Sequence, residues 1–419
     1  MHSDPTPGIQ TRAQARAGER SPGAPIARHG RLKPRTLRSS LGALALRSVA
    51  VVAASAAVLA GFAVFDVFAT VNAKEGVQLV DAAGKALPPR VGAVDGAFNV
   101  LLAGSDSGGG NPAYDLLERE GERNDVTMLL HVSADHRNST VVTLPRDLYV
   151  PIPSCPNPDG GSFKAMSSQK LNTSLSYGGL ACTVLTVTKL TGLQIDYAGV
   201  IEFDGVIEMS NAVGGVPVCV AGDIVDPHTG LEVKAGDNEL QGQQALAFLR
   251  TRYGVGDGSD LSRISNQQVF LSSLVRTIKS ADTLANPVKV YALAKAAADN
   301  IQLSESLKNV TTIASLSMAL KDVDPAKIVF VQYPNRYEGD GVAPTVEEAE
   351  LLMSALREDR PVTLTGDTGL GSETVETVQE APAPAEPGAG ETAGPAVELP
   401  ENVHGQTAAQ VTCSRPFAD

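Results

Sequence analysis

Four polar residues near the centre of the chain carry a strong chemical signal. Arg250 and Arg252 lie two residues apart in ALAFLRTR, and Arg263 and Gln267 follow one helical turn apart in LSRISNQQ. If the first pair lies in an extended segment, both guanidinium groups share one face and can bind one ligand. The guanidinium fork matches phosphate oxygens. The pattern therefore indicates a site for a multiply charged anion, whereas an isolated pair of this kind is more often a solvated surface strand.

These residues must be positioned by a domain in which strands and helices alternate. Short apolar runs predict buried strands at 98–104, 126–133 and 139–144, and IVFVQYP predicts a late one. Apolar residues at helical spacing predict helices after Lys170, in SRISNQQVFLSSLVRTIKS, and at about 285–297, 305–320 and 345–358. This order predicts an α/β fold whose layers pack around one mixed sheet.

The first 73 residues predict a single-pass membrane anchor. Residues 1–47 carry a net charge of +7 and are typical of a disordered cytoplasmic tail. Residues 48–73 include an uncharged run from Ser48 to Phe65, which is long enough to cross a bilayer. A signal peptide is the alternative, but the basic segment is long and no convincing cleavage site follows Asp66. The positive-inside rule then predicts that everything after residue 73 is extracytoplasmic, on the outer side of the cell membrane.

The exported part is predicted to contain a spacer at 74–95, one main domain at 96–358 and a flexible tail rich in Pro, Ala and Glu at 359–419. Subtracting +7 from the total of −13 leaves −20 for this part, which argues against nonspecific nucleic-acid binding. Four cysteines lie in it: Cys155, Cys182, Cys219 and Cys413. In an oxidising compartment they allow two disulfides with three connectivities, and free thiols are the alternative.

Seven motifs occur in one order over roughly 170 residues: NVLLAGSD, ERND, TLPRD, QKLN, the EFDG to GGV stretch, LRTR and DLSRISNQQ. With these motifs the chain resembles the LytR-CpsA-Psr family of membrane-anchored cell-wall enzymes over about residues 96–335. The resemblance implies a three-layer α/β/α sandwich around a mixed β-sheet, preceded by one transmembrane helix. It also implies transfer of a glycopolymer from a polyprenyl-pyrophosphate carrier to peptidoglycan, with Mg²⁺ or Mn²⁺ as the cofactor.

The same resemblance implies the roles of individual residues. Asp106 and Asp125 are expected to bind the metal and, with Arg250 and Arg252, to act in catalysis. Pyrophosphate binding is expected from Arg123, Arg146, Lys170, Arg250, Arg252, Arg263 and Gln267. The chemistry supports this set, because fixed cations and a divalent ion stabilise the charge that shifts when a pyrophosphate bond breaks. We also expect Cys155 to pair with Cys182, and Cys219 with Cys413.

Two alternative functions would use the same cations. A polyprenyl-pyrophosphate hydrolase would transfer the phosphate to water and would need no peptidoglycan site. A noncatalytic, anchored regulator of the cell envelope would bind an anionic polymer without turnover. The aspartates beside the arginines argue against the regulator, because a nearby negative charge does not favour a bound anion.

Overall fold

A computed structural model describes residues 37–81, 84–105, 123–157, 160–375 and 394–418. The α-helices are α1 (Leu37–Ala73), α2 (Thr173–Thr191), α3 (Phe203–Val213), α4 (Gly242–Arg250), α5 (Asp260–Lys279), α6 (Ala281–Leu284), α7 (Pro287–Asn300), α8 (Val310–Lys321) and α9 (Val346–Arg357). Short 3₁₀ helices lie at Glu305–Lys308 and Pro325–Lys327.

The strands are β1 (Phe98–Ser105), β2 (Asn124–Val132), β3 (Ser139–Leu144), β4 (Tyr149–Ile152), β5 (Cys155–Pro156), β6 (Ser162–Phe163), β7 (Met166–Lys170), β8 (Tyr197–Ile201), β9 (Val216–Val220), β10 (Ile224–Asp226), β11 (Leu231–Val233), β12 (Gly236–Leu240), β13 (Ile301–Leu303), β14 (Ile328–Gln332), β15 (Asn335–Glu338), β16 (Gly341–Pro344), β17 (Val362–Leu364), β18 (Ser372–Thr374), β19 (Val397–Leu399), β20 (Gly405–Thr407) and β21 (Thr412–Ser414).

The centre of the domain is a mixed sheet with the strand order β13-β8-β1-β2-β3-β14-β20. The pairs β1/β8 and β3/β14 are parallel, whereas β1/β2 and β2/β3 are antiparallel. The predicted strands at 98–104, 126–133 and 139–144 are therefore confirmed as β1, β2 and β3. Their apolar runs are nearly continuous because this sheet is covered on both faces.

Alternate residues of the central strands point to opposite faces, and each face packs against different helices. On one face Leu101, Leu129 and Val142 join a core with apolar residues of α2 and α9. On the other face Val100 and Leu130 pack with α8, while Val141 and Phe330 pack with Leu271 of α5. This arrangement confirms the expected three layers around a mixed sheet.

The C-terminal region departs from the sequence expectation. Residues 360–375 and 394–418 are folded, so the prediction of a flexible tail at 359–419 is wrong for them; residues 376–393 lie outside the described ranges. Strand β20 forms an edge of the central sheet, and β21 lies between β9 and β18 in a second sheet of order β12-β9-β21-β18. The physical reason is burial of a few apolar side chains, including Val397, Leu399 and Val403.

Both expected disulfides are present. Cys155 bonds to Cys182 and joins β5 to α2, while Cys219 bonds to Cys413 and joins β9 to β21. The second bond holds the C-terminal strands to the body of the domain across 194 residues of sequence.

Two segments predicted near the N-terminus also differ in the structure. Helix α1 already begins at Leu37, so the expected disorder of residues 1–47 is wrong for 37–47, whereas residues 1–36 lie outside the described ranges. The expected spacer at 74–95 packs against the domain, because Leu79 and Val94 are buried and Arg90 pairs with Asp196 at 3.0 Å. The apolar part of α1, Leu44–Ala73, is long enough to cross a membrane.

Candidate functional site

Several predicted site residues converge at one edge of the central sheet, the edge formed by the ends of strands β1 and β3 and the start of β2. Asp125 is the second residue of β2, and Arg146 follows Pro145 directly after β3. Pro145 lacks a backbone N–H and so cannot extend the strand ladder. The antiparallel register pairs Thr127 with Leu144, which brings Asp125 and Arg146 together.

An ionic cluster of Asp125, Arg146, Asp260 and Arg263 occupies this edge. Arg146 Nη1 donates to Asp125 Oδ1 at 2.6 Å, and Arg146 Nε lies 3.5 Å from Asp260 Oδ1. Arg263 Nη2 lies 2.7 Å from Asp260 Oδ1 and donates to the backbone oxygen of Asp125 at 2.8 Å. Asp260 and Arg263 come from the first turn of α5, so this helix aligns its N-terminal end with the start of β2.

The cluster keeps its cations charged although they are largely buried. Burial lowers the pKa of Arg263, and the nearby charges of Arg146 and Arg252 act in the same direction, against Asp260 and Asp125. Burial also acts to lower the pKa of Arg146, but Asp125, Asp260 and Asp147 outweigh it, so that pKa is raised. Because arginine is protonated at any physiological pH, both arginines of the cluster stay charged, and the two carboxylates balance them.

A cavity of about 710 Å³ adjoins this cluster, and we call it the basic cavity. Three predicted cations line it, Arg123, Arg146 and Lys170, together with Asp147, Tyr149, Gln169, Asn172, Thr173 and Asp340. Lys170 ends β7 and is held by Asp340 at 2.9 Å and Asp147 at 3.7 Å. The hydrogen bond from Tyr149 and, to a smaller extent, the one from Lys170 lower the pKa of Asp340 to about 2, so this carboxylate stays ionised.

The expected pairing of Arg250 and Arg252 on one face of a strand is wrong. Helix α4 runs to Arg250, because Ala245 and Phe248 are buried at helical spacing and no glycine interrupts the segment. Arg250 lies over the ring of Phe203, 4.4 Å from its centroid. Arg252 lies close enough to Arg263 to act on its pKa, and its buried Nε has no hydrogen-bond partner among the described residues.

Gln267, which was expected to bind the anion, contacts the backbone in this structure. Its side-chain amide is buried and donates to the backbone oxygen of Leu249 at 2.9 Å. Asn266 donates in the same way to Phe248 at 2.7 Å. These oxygens belong to the last turn of α4, whose carbonyls have no partner within the helix. Both amides therefore fix the end of α4 and with it the position of Arg252.

Comparison with known proteins places this geometry in a family. The LytR_cpsA_psr family matches residues 67–355. The chain belongs to this family. The matched segment includes the ionic cluster and the residues that line the basic cavity, and it begins before the resemblance seen from the motifs alone.

Individual members support the assignment. Cell wall biosynthesis protein LcpA of Corynebacterium glutamicum is 31% identical over 272 residues, which cover 58% of this chain and about half, 51%, of LcpA. The polyisoprenyl-teichoic acid–peptidoglycan teichoic acid transferase TagT of Bacillus subtilis is 27% identical over 255 residues, 56% of this chain and 71% of TagT. The solved LytR-Csp2A-Psr enzyme from Actinomyces oris matches the fold with a TM-score of 0.50 and 23% identity, over 64% of this chain and 96% of that one.

The donor set fits a hard divalent cation only in part. Among the described residues no group of three or more His, Cys, Asp or Glu side chains could hold a metal ion. Asp125 offers a carboxylate at the ionic cluster, and Asp106 lies outside the described residues. Magnesium is commonly bound by one or two carboxylates together with substrate phosphates, so Asp125 fits that chemistry only if a bound phosphate group supplies further oxygen ligands.

Four residues at this site were not predicted from the sequence: Asp147, Tyr149, Asp260 and Asp340. Asp147 and Asp260 lie inside the TLPRD and DLSRISNQQ motifs, and their spacing to Arg146 and Arg263 was the available signal. Asp340 lies in the β15–β16 turn, far from the motifs, and only the fold brings it to Lys170. These carboxylates hold the cations in place before a ligand binds.

Proposed function

We propose that this protein is a phosphotransferase that moves a glycopolymer from a polyprenyl-pyrophosphate carrier to peptidoglycan, on the outer side of the cell membrane. The observation that carries the proposal is the basic cavity, where Arg123, Arg146 and Lys170 meet beside buried Arg263. A cavity with several fixed cations suits a pyrophosphate group. The names of TagT and LcpA support a wall polymer as the transferred group.

The proposed reaction is a displacement at phosphorus. A hydroxyl of peptidoglycan attacks the phosphate that carries the glycopolymer, a new P–O bond forms, and the bond to the bridging oxygen of the pyrophosphate breaks. The products are a phosphodiester and polyprenyl phosphate. Arg146, Lys170 and Arg263 stabilise the negative charge that moves to the leaving phosphate. In this proposal Asp125 or Asp106 accepts the proton of the hydroxyl.

A divalent ion is part of the proposal. Asp125, together with Asp106, would hold Mg²⁺ or Mn²⁺, and such an ion would supply positive charge to the pyrophosphate oxygens. The residues of the cavity orient the pyrophosphate and position it against the acceptor hydroxyl.

The proposed location is the cell membrane, with the N-terminus in the cytoplasm. The apolar segment Leu44–Ala73 and the basic residues before it support a single-pass anchor with the domain outside. This location places the domain beside a donor whose polyprenyl chain lies in the bilayer.

The test uses the full chain in vesicles, with a polyprenyl-pyrophosphate oligosaccharide as donor and nascent peptidoglycan as acceptor. Sugar attached to peptidoglycan is measured with Mg²⁺ present and with a chelator. Arg146→Ala should lower attachment by about 10²-fold or more, because it removes a cation directed at the developing charge. Arg137→Ala is the matched control, since Arg137 is exposed in the turn before β3, at the opposite end of that strand.

The outcomes separate the candidate functions. Attachment that needs the metal and Arg146 but not Arg137 supports the transferase. Cleavage of the donor without attachment indicates the hydrolase, and binding without cleavage indicates the anchored binding protein. A melting curve of Arg146→Ala that matches the parent protein shows that the loss is not due to unfolding.

A further inference from the structure

The last turns of α1 are bound side by side to α7. Tyr291 Oη donates to Asp66 Oδ2 at 2.8 Å, and Lys295 Nζ donates to Thr70 Oγ1 at 2.7 Å. In both pairs the two residues are 225 positions apart in the sequence. Lys74, which donates to the backbone oxygen of Asp299, has the same separation from its partner. A constant separation over two helical turns means that α1 and α7 run parallel and in register.

The burial of α1 follows the same register. Between Phe62 and Ala73 the residues that are at least partly covered recur at helical spacing: Ala63, Asp66, Val67, Thr70 and Val71. Residues three and four apart share one face of a helix, so this stripe faces α7. With the same separation of 225 residues, Val288 of α7 lies level with Ala63 of α1. This position is about one helical turn before the hydrogen bond between Tyr291 and Asp66.

An exposed apolar surface is found at this end of α7. We call it the α6–α7 corner; it consists of Leu284, Pro287, Val288 and Val290. The exposed fractions of Leu284 and Val288 are 54% and 73%. On α1 the neighbouring Phe62 and Phe65 are exposed by 66% and 65%. A contiguous apolar surface of this kind on a folded domain marks a contact with a protein or a membrane.

We propose that the α6–α7 corner inserts into the lipid bilayer beside α1, at the membrane–water interface on the outer side of the cell membrane. This contact fixes the orientation of the domain against the membrane. The inference rests on the proposed membrane anchoring and adds a second contact to it. The bilayer is the occupant because the corner lies level with Phe62 and Phe65, two exposed apolar residues of the candidate membrane span.

The dimensions agree with this position. The uncharged run from Ser48 to Phe65 is about 27 Å long at 1.5 Å per residue, close to the roughly 30 Å of the hydrocarbon core. Asp66 then lies at the outer boundary, and Tyr291, bonded to it, has the amphipathic ring that is enriched at that level. Val288 lies about 4.5 Å deeper, three residues earlier in α7. Interfacial helices bury their apolar face to a similar depth, about 5–10 Å.

The chain contains no tryptophan, so single Val→Trp substitutions give unique fluorescent probes. The full chain is reconstituted in phosphatidylcholine vesicles whose acyl chains carry bromine at defined depths. Val288→Trp is compared with Val58→Trp in the apolar run of α1 and with Val91→Trp before β1. All three valines are exposed, by 73%, 71% and 54%, so the larger side chain can be accommodated.

We expect the fluorescence emission of Val288→Trp to be blue-shifted and quenched most by bromines near the membrane surface. The emission of Val58→Trp should be quenched most by deep bromines, and bromine at any depth should leave the emission of Val91→Trp unchanged. If Val58→Trp is quenched and Val288→Trp behaves like Val91→Trp, the domain is anchored but the corner is not inserted. A blue shift of Val288→Trp without quenching shows that protein covers the corner, which also overturns the inference. If Val58→Trp is not quenched, the proposed anchoring itself fails.

Discussion

Arg263 is a charged residue that is only 4% exposed. A buried charge is tolerated only when it is paired and hydrogen-bonded. Asp260 provides the pairing and also contacts Arg146, so one carboxylate sets the distance between two cations of the ionic cluster. Its position in the first turn of α5 ties that distance to the helix.

Replacing Asp260 by alanine should therefore destabilise the domain. The substitution leaves Arg263 buried without its main partner, which typically costs about 3–5 kcal/mol. The free energy of unfolding is measured by urea denaturation of the parent and variant proteins.

Glu338→Ala is the matched control for Asp260→Ala. Glu338 pairs with Arg336 at 3.1 Å, but both side chains are more than half exposed, and such pairs contribute about 0–1 kcal/mol. Equal losses of stability in the two variants would show that Asp260 does not stabilise Arg263.

At the scale of secondary-structure elements, α4 and α5 show why the site was only partly predictable. The motifs identified Arg146, Lys170 and Arg263, and the fold brings these to one sheet edge. The same motifs placed Arg250 and Arg252 on one ligand, but the end of α4 is fixed by amides of Asn266 and Gln267, which lie 18 residues further along the chain. The local motif LRTR contains no information on hydrogen bonds from residues that lie so far along the chain.

Helix α2 contains a kink that leads to a further prediction. Gly178 and Gly179 have non-helical backbone angles, and Gly178 packs directly on the Cys155–Cys182 disulfide. A Cβ at residue 178 would lie 2.9 Å from Cys182 Cβ and 3.0 Å from Cys155 Cβ. Gly178→Ala should therefore lower stability by about 1–3 kcal/mol, as overpacked sites do.

The prediction for Gly178→Ala is checked by thermal unfolding under oxidising conditions, with free thiols counted in parallel. Gly61→Ala is the control, because a Cβ at residue 61 meets nothing within 4 Å. An unchanged melting temperature and no free thiol in Gly178→Ala would mean that the kink relaxes without cost.

At the scale of the whole molecule, the sequence predicted the layers and the order of the central elements but not the C-terminal strands. Strands β19, β20 and β21 are three residues long each and follow a segment dominated by Pro, Ala, Gly and Glu. So short a strand has no visible alternation, and the composition around it is typical of disorder. Long-range contacts, including the Cys219–Cys413 bond and the buried Gln406, stabilise these strands.

The two disulfides are expected to stabilise the domain unequally. They span 27 and 194 residues. In the chain-entropy description the longer loop gives about 1.7 kcal/mol more stabilisation. We therefore expect Cys219→Ala/Cys413→Ala to lower the free energy of unfolding more than Cys155→Ala/Cys182→Ala.

Denaturant unfolding of both double variants measures the difference between the disulfides. A larger loss for the Cys155→Ala/Cys182→Ala protein would show that local strain or packing, rather than loop length, determines the effect.

The position of β21 between β9 and β18 has a consequence for biosynthesis. A ribosome makes β9 almost two hundred residues before β21, so the second sheet lacks an inner strand until synthesis has passed residue 414. The domain cannot complete its second sheet before β21 has left the ribosome. Whatever folds earlier must leave the place between β9 and β18 open for β21.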